Sequence, residues 1–380
     1  MTDWTDRVLD LAVGAVAHGG HCVARHENRV VFVRHALPGE RVHALVTEDG
    51  GGSFCRADAI AVLAPAPHRM EQPCAWARPG GCGGCDFQHV EPAAQRALKA
   101  EVLAEQLRRL AGVELSVPVE ELPGGALGWR TRVRLAVDDE GRAGLRAHRS
   151  HDVLPIADCP ITVPGALPPV LASAYPAGSE VEVVADATGA VAVDGPALQR
   201  AAGREWRLSP DTFWQVHPAL PDVLAGVVGE WAEAPRGGSA WDLFGGVGLF
   251  AAVLAGQVGP EGAVTVVESS RQAVADGRAA LADLPQVVFR PGRVEQVVAG
   301  LPAPDVVVAD PPRKGLGRAL VDALAVAGPQ RIVHVACDPA ALARDVALLT
   351  GRGYRLAELR AFDAFPMTHH MECVGLFTRG

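Results

Sequence analysis

The chain has 380 residues, 49% of them apolar, and a formal net charge of −9. This length exceeds one ordinary domain and predicts two or three. The negative charge argues against nonspecific binding of nucleic acid by the whole surface, although it leaves room for a local basic groove.

The first residues, MTDWTDRVLDL, carry acidic side chains where a secretory signal needs positive charge. No apolar run approaches the roughly 20 residues that span a bilayer. We therefore expect a cytoplasmic protein with no membrane partner. In that compartment its eight cysteines are expected to be ligands or nucleophiles rather than disulfides.

Residues 1–63 predict a small β-barrel. The runs RVVFVR and RVHALVT have strand character, and the turn LPGE and the loop EDGGGS punctuate them. Such closely spaced strands suggest an oligonucleotide-binding barrel, and another small β domain would give the same pattern. A linker with three prolines, residues 64–73, follows.

A cysteine-rich stretch comes next. Cys74, Cys82 and Cys85 have the spacing C-x7-C-x2-C, and Cys159, in IADCPI, is available as a fourth ligand. Four thiolates suit either tetrahedral zinc or an iron–sulfur cluster, and the spacing does not choose between them.

The middle of the chain predicts one helix and many short strands. Apolar residues at helical spacing place an amphipathic helix at about 92–111, and residues 115–205 return to strands and turns. In WRTRVRL, Arg130, Arg132 and Arg134 are spaced to share one strand face. With Trp129 they predict either a face that tracks RNA phosphates and stacks a base, or a solvated strand face.

From about residue 206 strands alternate with helices. The predicted strands lie at 239–243, 263–267, 305–309 and 331–336, and the helices at 248–256, 271–283, 317–327 and 339–350. This order is typical of a mostly parallel, doubly wound α/β sheet, which binds ligands at the carboxyl ends of its strands.

Two strand ends predict a cofactor. In DLFGGVGLF, the glycines after Phe244 form a turn that lets the backbone approach a ligand closely. Glu268 ends the next strand, where a carboxylate suits ribose hydroxyls. Nicotinamide and S-adenosylmethionine enzymes share both signals, and the absence of a strict G-x-G-x-x-G favours the methyl donor.

A third strand ends in DPPRKG, which places Asp310 at the same sheet edge. An acidic residue followed by two prolines is found in enzymes that methylate amino groups of bases. Those enzymes usually have an aromatic residue after the prolines, whereas this chain has Arg313. The motif therefore points away from amino methylation.

Cys337 lies where a buried strand meets a helix. Asp338 is suited to cap that helix, and Pro339 to be its first residue. Because the N–H groups of a helix N-terminus favour an anion, we expect a lowered thiol pKa and a nucleophilic thiolate. The alternative is a small buried apolar side chain.

A thiolate beside a methyl donor suggests methylation of carbon 5 of uracil. Attack of Cys337 on carbon 6 raises the electron density at carbon 5, which takes the methyl group, and a base then removes the carbon-5 proton. Glu372, in FPMTHHMECVGLF, is the candidate base, and His369 and His370 compete with it. The target uridine must leave its stack to react.

Together the motifs DLFGGVGLF, DPPRKG, VACDPAALARD and HHMECV resemble the S-adenosylmethionine-dependent uracil-5-methyltransferases of tRNA and ribosomal RNA. DTFWQVHP extends the resemblance, which covers nearly the whole chain. It implies a TRAM barrel at 1–63, a central mostly-β domain at 64–205 and a Rossmann-like methyltransferase domain at 206–380.

The resemblance also implies roles for individual residues. Cys337 would be the nucleophile and Glu372 the proton acceptor. The residues that would bind S-adenosylmethionine are Gln215, Phe244, Glu268 and Asp310. Some family members carry a [4Fe–4S] cluster on CGGCDFQH and a later CP, so a cluster is favoured over zinc, held by Cys74, Cys82, Cys85 and Cys159.

Several positions depart from the family pattern and bear on cofactor contacts and substrate choice more than on the reaction type. They are His217, Gly245, Leu249, Arg293 and Asp338.

The sequence thus predicts a monomeric enzyme that methylates carbon 5 of a uridine in structured RNA, with 23S rRNA favoured over tRNA. The alternatives are a methyltransferase acting on a free nucleoside or other small molecule, and an RNA-binding protein with an inactive methyltransferase fold.

Overall fold

The computed structural model describes residues 3–380. Its first six strands form one sheet in the order β1-β5-β6-β4-β3-β2. The apolar core of this sheet also includes Phe87, Val90, Leu98 and Val102 from the middle of the chain. Alternate residues of these strands are buried, as the two-residue period of a one-sided sheet requires. The strands are β1 (Val8–Ala12), β2 (Val16–Ala17), β3 (His21–His26), β4 (Arg29–Arg34), β5 (Arg41–Glu48) and β6 (Phe54–Ala64).

The middle of the chain begins with the predicted helix. It starts with proline in its first turn, continues as a π-helical turn over Leu107–Ala111, and ends at Gly112, whose φ is 67°. A five-stranded antiparallel sheet, β10-β9-β8-β11-β12, and the hairpin β13-β14 follow. The elements are α1 (Pro92–Gln106), β7 (Val119–Glu120), β8 (Arg132–Val137), β9 (Ala143–Arg146), β10 (Val153–Leu154), α2 (Pro168–Leu171), β11 (Glu180–Ala185), β12 (Val191–Val193), β13 (Ala197–Ala201) and β14 (Arg204–Leu208).

Helix α1 carries two buried polar side chains that reach across the fold. Gln95 Nε2 donates to the carbonyls of Phe87 and Val90, at 3.1 and 2.8 Å. Lys99 Nζ donates to Asp363 Oδ1 at 2.5 Å, and both side chains are almost completely buried. The helix therefore ties the cysteine-rich segment to the loop that precedes the last strand.

The C-terminal half is a doubly wound sheet with strand order β17-β16-β15-β18-β19-β21-β20-β7. All neighbours are parallel except those of β21, and β7 is contributed by the middle of the chain. The elements are α3 (Leu220–Ala232), β15 (Ser239–Leu243), α4 (Leu249–Val258), β16 (Ala263–Glu268), α5 (Arg271–Ala280), β17 (Val287–Pro291), α6 (Val294–Val297), β18 (Val306–Ala309), α7 (Gly317–Ala327), β19 (Arg331–Ala336), α8 (Pro339–Thr350), β20 (Tyr354–Phe362) and β21 (Glu372–Arg379).

The central strands of this sheet are covered on both faces. In β18, Val306 and Val308 enter one apolar core while Val307 and Ala309 enter the other. Burial on both faces explains why these strands read as continuous apolar runs. The predicted doubly wound fold is confirmed. No helix within residues 3–380 is both long and apolar enough to cross a membrane.

Candidate active site

A cavity of about 670 Å³ opens at the carboxyl ends of the parallel strands. Because β21 runs antiparallel, its first residue lies at this same edge. Each of the six catalytic and cofactor-binding residues singled out from the sequence lines the cavity: Gln215, Phe244, Glu268, Asp310, Cys337 and Glu372.

The turn after β15 is tightly wound. Phe244 has a φ of 59°, a left-handed conformation that is uncommon outside glycine. Glu268 reaches back to this turn, where its Oε2 accepts from the Gly246 N–H at 3.0 Å. Its Oε1 accepts from the Ser270 N–H at 2.6 Å. The backbone therefore fixes the orientation of this carboxylate at the rim of the cavity.

Gly245, one of the departures from the family pattern, has a packing reason. A Cβ there would lie 2.6 Å from Val266 Cγ1 and 2.8 Å from Asp242 Cγ. Asp242 is fully buried, and its Oδ2 accepts from the Ala251 N–H at 2.9 Å. Burial raises the pKa of Asp242 to about 8. Val266 and Asp242 thus occupy the space that a side chain at residue 245 would need.

The DPPRKG loop is held from behind by α8. Asp345 accepts from the N–H groups of Leu316 and Gly317, at 2.7 and 3.1 Å. Gly315 has a φ of 81°, and a Cβ there would lie 2.3 Å from Asp345 Oδ2. His334 Nε2 lies 3.1 Å from the same oxygen. Only glycine leaves Asp345 room to fasten the loop.

Two carboxyl groups of the cavity have strongly perturbed pKa values. Burial raises the pKa of Asp310 to about 7. Burial, followed by the proximity of Asp310, raises the pKa of Glu372 well above its ordinary range. Glu372 is only 2% exposed, and its Oε1 has no hydrogen-bond partner within residues 3–380. The cavity therefore presents a buried acceptor with a raised pKa, as a general base requires.

Cys337 faces the cavity beside the first turn of α8. As predicted, Asp338 caps that helix, its Oδ1 accepting from the Ala341 N–H at 2.7 Å, and Pro339 is the first helical residue. The expected lowering of the thiol pKa is wrong. Burial, then Glu372 and Asp310, raise the pKa of Cys337 to about 12, because desolvation and two carboxylates outweigh the helix N-terminus.

The two histidines that compete with Glu372 have different surroundings. His369 Nδ1 lies 2.6 Å from Asp86 Oδ2, whereas His370 lines the cavity. Burial, followed by the proximity of His369 and Arg313, lowers the pKa of His370 to about 3. A base that weak leaves Glu372 as the better proton acceptor.

No catalytic or binding role was predicted for three further side chains of the cavity. Arg313 and Lys314 line it from the DPPRKG loop, and Phe213, which is 67% exposed, lines it from the stretch DTFWQVHP. Their signal was their position inside motifs that also carry predicted site residues. They add positive charge and an aromatic face to the entrance.

The four predicted metal ligands converge at a second place. Cys74, Cys82, Cys85 and Cys159 line one narrow cavity with Gln88, and all four are free thiols. Burial raises the pKa of Cys85 to about 12, while the Gln88 side chain opposes the shift by hydrogen bonding to the sulfur. Four thiols in one enclosure are a donor set for a soft metal or a cluster.

These cysteines do not form a compact set for a single ion. Among residues 3–380, no three His, Cys, Asp or Glu side chains are grouped so as to hold one metal ion.

The predicted RNA-contacting face around Trp129 is not available for stacking. Trp129 is 3% exposed and packs with Cys85, Ile161 and Met367. The indole stacks on His217 instead of facing solvent, with ring centroids 6.0 Å apart. The interpretation as a base-stacking platform is therefore wrong, because tertiary packing buries the ring.

The neighbouring arginines are also engaged within the fold. Arg132 Nη2 donates to Glu182 at 2.8 Å, Arg134 Nη2 to Asp211 at 2.9 Å, and Arg130 Nε to a backbone carbonyl. The charges of Arg132 and Arg134 are paired with carboxylates, whereas the partner of Arg130 is a neutral carbonyl.

Two protein-family models match the chain, one near each end. The sequence model of the tRNA (Uracil-5-)-methyltransferase family matches residues 293–379, which include Asp310, Cys337 and Glu372. The model of the TRAM domain matches residues 6–54, within the N-terminal sheet.

Whole-length relatives are similar across nearly the entire chain. An RNA methyltransferase of Streptomyces avermitilis, named as uncharacterized, is 44% identical, and the alignment covers 97% of each protein. The 23S rRNA (uracil(1939)-C(5))-methyltransferase RlmD of Pseudomonas entomophila is 33% identical, with 97% of this chain and 93% of the relative covered.

A solved structure matches at the level of the fold. It is the tRNA (uracil-54, C5)-methyltransferase of Pyrococcus abyssi in complex with S-adenosyl-L-homocysteine. The match has a TM-score of 0.75 at 21% identity and covers 97% of this chain and 99% of that one.

Proposed function

Because this chain belongs to the family of S-adenosylmethionine-dependent RNA (uracil-5-)-methyltransferases, we propose that it methylates carbon 5 of one uridine in 23S ribosomal RNA. The choice of ribosomal RNA is supported by the relative named for that substrate, which is 33% identical. The relative named for a tRNA substrate is 21% identical.

We propose that Cys337 is the nucleophile. Its thiolate forms a bond to carbon 6 of the uracil ring, and the ring electrons move to carbon 5. Carbon 5 takes the methyl group as the methyl–sulfur bond of the donor breaks and leaves a neutral thioether. Glu372 then removes the proton from carbon 5, and the electron pair of that C–H bond expels the Cys337 sulfur from carbon 6. Each bond formed to the enzyme is broken again, so the cysteine is regenerated.

S-adenosylmethionine supplies the methyl group as a sulfonium cation. Gln215, Phe244, Glu268 and Asp310 are the residues we propose to hold it. The support is local: the Glu268 carboxylate is oriented by two backbone N–H groups, and a half-buried Asp310 carboxyl faces the same cavity.

The raised thiol pKa of Cys337 must be overcome for the reaction to start. A positive charge near the sulfur lowers a thiol pKa, and Arg313 already acts in that direction. The Asp310 carboxyl, whose pKa is raised, is a stronger base than an exposed carboxylate and is available to take the thiol proton, which leaves Glu372 free to accept the proton of carbon 5.

The observation that carries this proposal is the meeting of Cys337, Asp310 and Glu372 in one cavity at a sheet edge. The test uses 23S rRNA transcribed with 5-fluorouridine, together with S-adenosylmethionine. Fluorine at carbon 5 prevents proton removal, so the enzyme should remain covalently attached to the RNA in a denaturing gel. Cys337→Ala should give no adduct, whereas Cys55→Ala, a buried cysteine in β6, should trap like the wild type.

An adduct formed by Cys337→Ala would refute the assignment of the nucleophile. Trapping on fluorinated tRNA but not on 23S rRNA would refute the substrate. Equal trapping of the free nucleoside would favour a small-molecule enzyme, and no trapping on any RNA would favour an inactive RNA-binding protein.

We further propose that Cys74, Cys82, Cys85 and Cys159 hold a [4Fe–4S] cluster with a structural role. The support is the convergence of four free thiols on one cavity, with Gln88 hydrogen bonding to Cys85. The cluster would join residue 159 to the cysteine-rich loop, and the methyl transfer needs no electron from it.

This cluster is tested on purified protein without any assay of activity. Iron and acid-labile sulfide should be present in near-equal amounts, with broad visible absorbance that Cys82→Ser removes and Cys55→Ser preserves. Stoichiometric zinc in place of iron would contradict the proposal.

We also propose that the chain divides into three domains, at residues 1–63, 64–205 and 206–380. We propose further that the protein is a monomer, and sedimentation as a dimer would refute that state.

A further inference from the structure

A second open cavity, of about 350 Å³, lies between the N-terminal sheet and the central region. We call it the junction cavity. Strands β3 to β6 contribute one wall, and the loops that carry Gly80 and His148 contribute the other. Three arginines line it: Arg34, Arg56 and Arg149.

The three arginines differ in their partners. Arg149 pairs with Glu48, and Arg34 Nη2 lies 3.4 Å from Asp86 Oδ1. For Arg56 the nearest carboxylate oxygen is also on Glu48, 3.8 Å from Nε and beyond hydrogen-bond reach. In the described part of the chain, Nε and Nη1 of Arg56 are buried and have no hydrogen-bond partner. Buried donors left in this way cost free energy and call for an acceptor.

Aromatic rings hold the Arg56 guanidinium in place. Its Cζ lies 5.9 Å from the ring centre of Phe32 and 5.6 Å from that of Phe54. Phe54 is 47% exposed. Two aromatic rings therefore lie within cation–π distance of the guanidinium, while its Nε and Nη1 have no hydrogen-bond partner among the described residues. Such a combination of rings and donors suits a nucleic-acid strand.

The junction cavity has little net charge. Glu48, Asp58 and the nearby Asp86 nearly balance the three arginines. Burial, followed by the proximity of Arg34 and Arg56, lowers the pKa of His21 to about 4, and burial also lowers the pKa of His148, so neither adds charge at neutral pH. Attraction of a ligand must come from directed hydrogen bonds rather than from a general positive field.

A short chain of contacts joins the junction cavity to the active site. Asp86 faces Arg34 on one side and accepts from the His369 backbone N–H on the other, at 3.2 Å. The His369 ring centre lies 3.9 Å from that of His370, which lines the catalytic cavity. An RNA strand with its target base in the catalytic cavity therefore has the junction cavity close beside it.

We propose that the junction cavity binds a phosphate group of the RNA backbone close to the target uridine, with Arg56 as the principal donor. The inference rests on the proposed function, because it needs an RNA substrate. A backbone phosphate offers several acceptor oxygens to the Arg56 donors that have none, and Phe54 offers a face to an adjacent base.

The test measures the dissociation constant of 23S rRNA with ordinary uridine, in the absence of S-adenosylmethionine, at several potassium chloride concentrations. Arg56→Gln should weaken binding about tenfold and lower the slope of log affinity against log salt by about one. Glu48→Gln, at an exposed position, should tighten binding about threefold, since it removes the carboxylate that competes with phosphate. Arg200→Gln, an exposed change in β13 away from both cavities, is the matched control and should leave affinity and slope at the wild-type values.

Each outcome bears on one proposal only. If the wild type forms no covalent adduct, the proposed function fails regardless of Arg56. If the wild type traps RNA but Arg56→Gln binds with unchanged affinity and slope, the junction cavity does not bind phosphate of the RNA. If thermal unfolding shows that Arg56→Gln does not fold, the decision rests on Glu48→Gln. In that case an affinity of Glu48→Gln equal to that of the wild type would overturn the proposal.

A free anion is the remaining source of the same chemistry. If inorganic phosphate raises the melting temperature of the wild type but not of Arg56→Gln, at concentrations that leave RNA affinity unaltered, then the site serves a free anion and the proposal is overturned.

Discussion

The catalytic cavity and the cysteine cavity both contain a thiol whose pKa is raised by burial, but the neighbours of the two thiols differ. Burial is the first cause that raises the pKa of Cys337 and of Cys85, in each case to about 12. Around Cys337 the next contributors are carboxylates, Glu372 and Asp310. Around Cys85 the Gln88 side chain opposes the rise, and the neighbouring thiols Cys159 and Cys82 add to it.

The difference fits the two proposed roles, a nucleophile at Cys337 and metal ligands in the cysteine cavity. Carboxylates beside Cys337 oppose the thiolate until a positive group enters, but they also provide the bases that a covalent cycle needs. The cysteine cavity has one carboxylate in its lining, Asp158, whose Oδ1 accepts from the Cys159 N–H at 2.8 Å. Four thiols on one cavity form a donor set suited to a metal or cluster. Burial alone would not distinguish the two sites.

The largest expected effect is a loss of turnover from a change confined to the catalytic cavity. Glu372→Gln removes the base without changing the size of the side chain, so methylated RNA should remain attached to Cys337 even with ordinary uridine. Turnover should fall roughly 10²- to 10⁴-fold, measured by release of methylated 23S rRNA and by the covalent complex in a denaturing gel.

Glu295→Gln is the matched control for that change. Glu295 lines the same cavity but lies 3.5 Å from Lys314, and its loss should leave release of the product intact. Normal product release by Glu372→Gln would assign the base to another group, with His370 the next candidate.

The second prediction concerns the support that the two cavities share. Lys99 and Asp363 form a buried ion pair between α1, which follows the cysteine segment, and the loop that leads to Glu372. Lys99→Met should destabilise the fold by about 3–5 kcal/mol, because it leaves the Asp363 carboxylate buried and unpaired. Chemical denaturation measures the loss.

The double variant Lys99→Met with Asp363→Asn separates the pair from its charge. It should recover part of the lost free energy of unfolding, because no unpaired charge remains. If the double variant is as unstable as the sum of both single changes, the pair contributes through packing and not through electrostatics.

Much of the C-terminal sheet could be predicted because the signal is local. Strand β19 and helices α7 and α8 fall at their predicted bounds, since a strand covered on both faces reads as an apolar run and the Asp338 cap and Pro339 mark a helix start. Four residues of the catalytic cavity share a sheet edge for the same reason, because Phe244, Glu268, Asp310 and Cys337 each lie at the carboxyl end of a parallel strand.

Properties that depend on residues distant in sequence could not be predicted in this way. The thiol pKa of Cys337 depends on Asp310, on Glu372 and on how deeply all three are buried. Trp129 looks like an exposed stacking platform beside three arginines, but packing against Met367 and His217 buries it. The junction cavity brings together residues that are far apart in sequence. Glu48 and Arg149, which form an ion pair there, are 101 positions apart.

The third prediction uses pH to probe the floor of the catalytic cavity. Burial raises the pKa of Asp242 from 3.8 to about 8, so the folded protein holds this proton more tightly than the unfolded chain. The stability from this group is complete below pH 4 and is lost as the pH rises towards 8, by about 1 kcal/mol per pH unit. Denaturation between pH 5 and pH 8 should show a smaller decline for Asp242→Asn than for the wild type.

Asp276 gives a comparison of opposite sign. Although burial opposes it, hydrogen bonds from Ser209 and Thr212 lower the pKa of Asp276. The stability that Asp276 contributes is therefore present above its pKa in the unfolded chain and is lost as the pH falls through its pKa in the folded protein. Asp276→Asn should therefore leave the decline in stability between pH 5 and pH 8 unaltered. Parallel pH curves for the wild type and Asp242→Asn would show that Asp242 does not carry this proton.

The smallest expected effect concerns a turn of the N-terminal sheet that contacts both regions. His18 Nε2 lies 2.9 Å from Asp338 Oδ2, beside the nucleophile, and a Cβ on Gly20 would lie 2.8 Å from Asp86, next to Cys85. The His18 pair is partly exposed, with side-chain accessibilities of 36% and 22%, so it is worth at most about 1 kcal/mol.

His18→Ala should slow formation of the fluorouridine adduct about two- to fivefold at saturating RNA, because Asp338 caps α8 next to Cys337 and loses one of its two partners. Asp338→Asn keeps the cap but loses the charge. If His18 acts through Asp338, the double variant should be no slower than the slower single variant, whereas additive losses would show that the two act independently. With iron content unchanged in all three variants, such coupling would assign the turn to the catalytic cavity rather than to the cysteine cavity, although it contacts both.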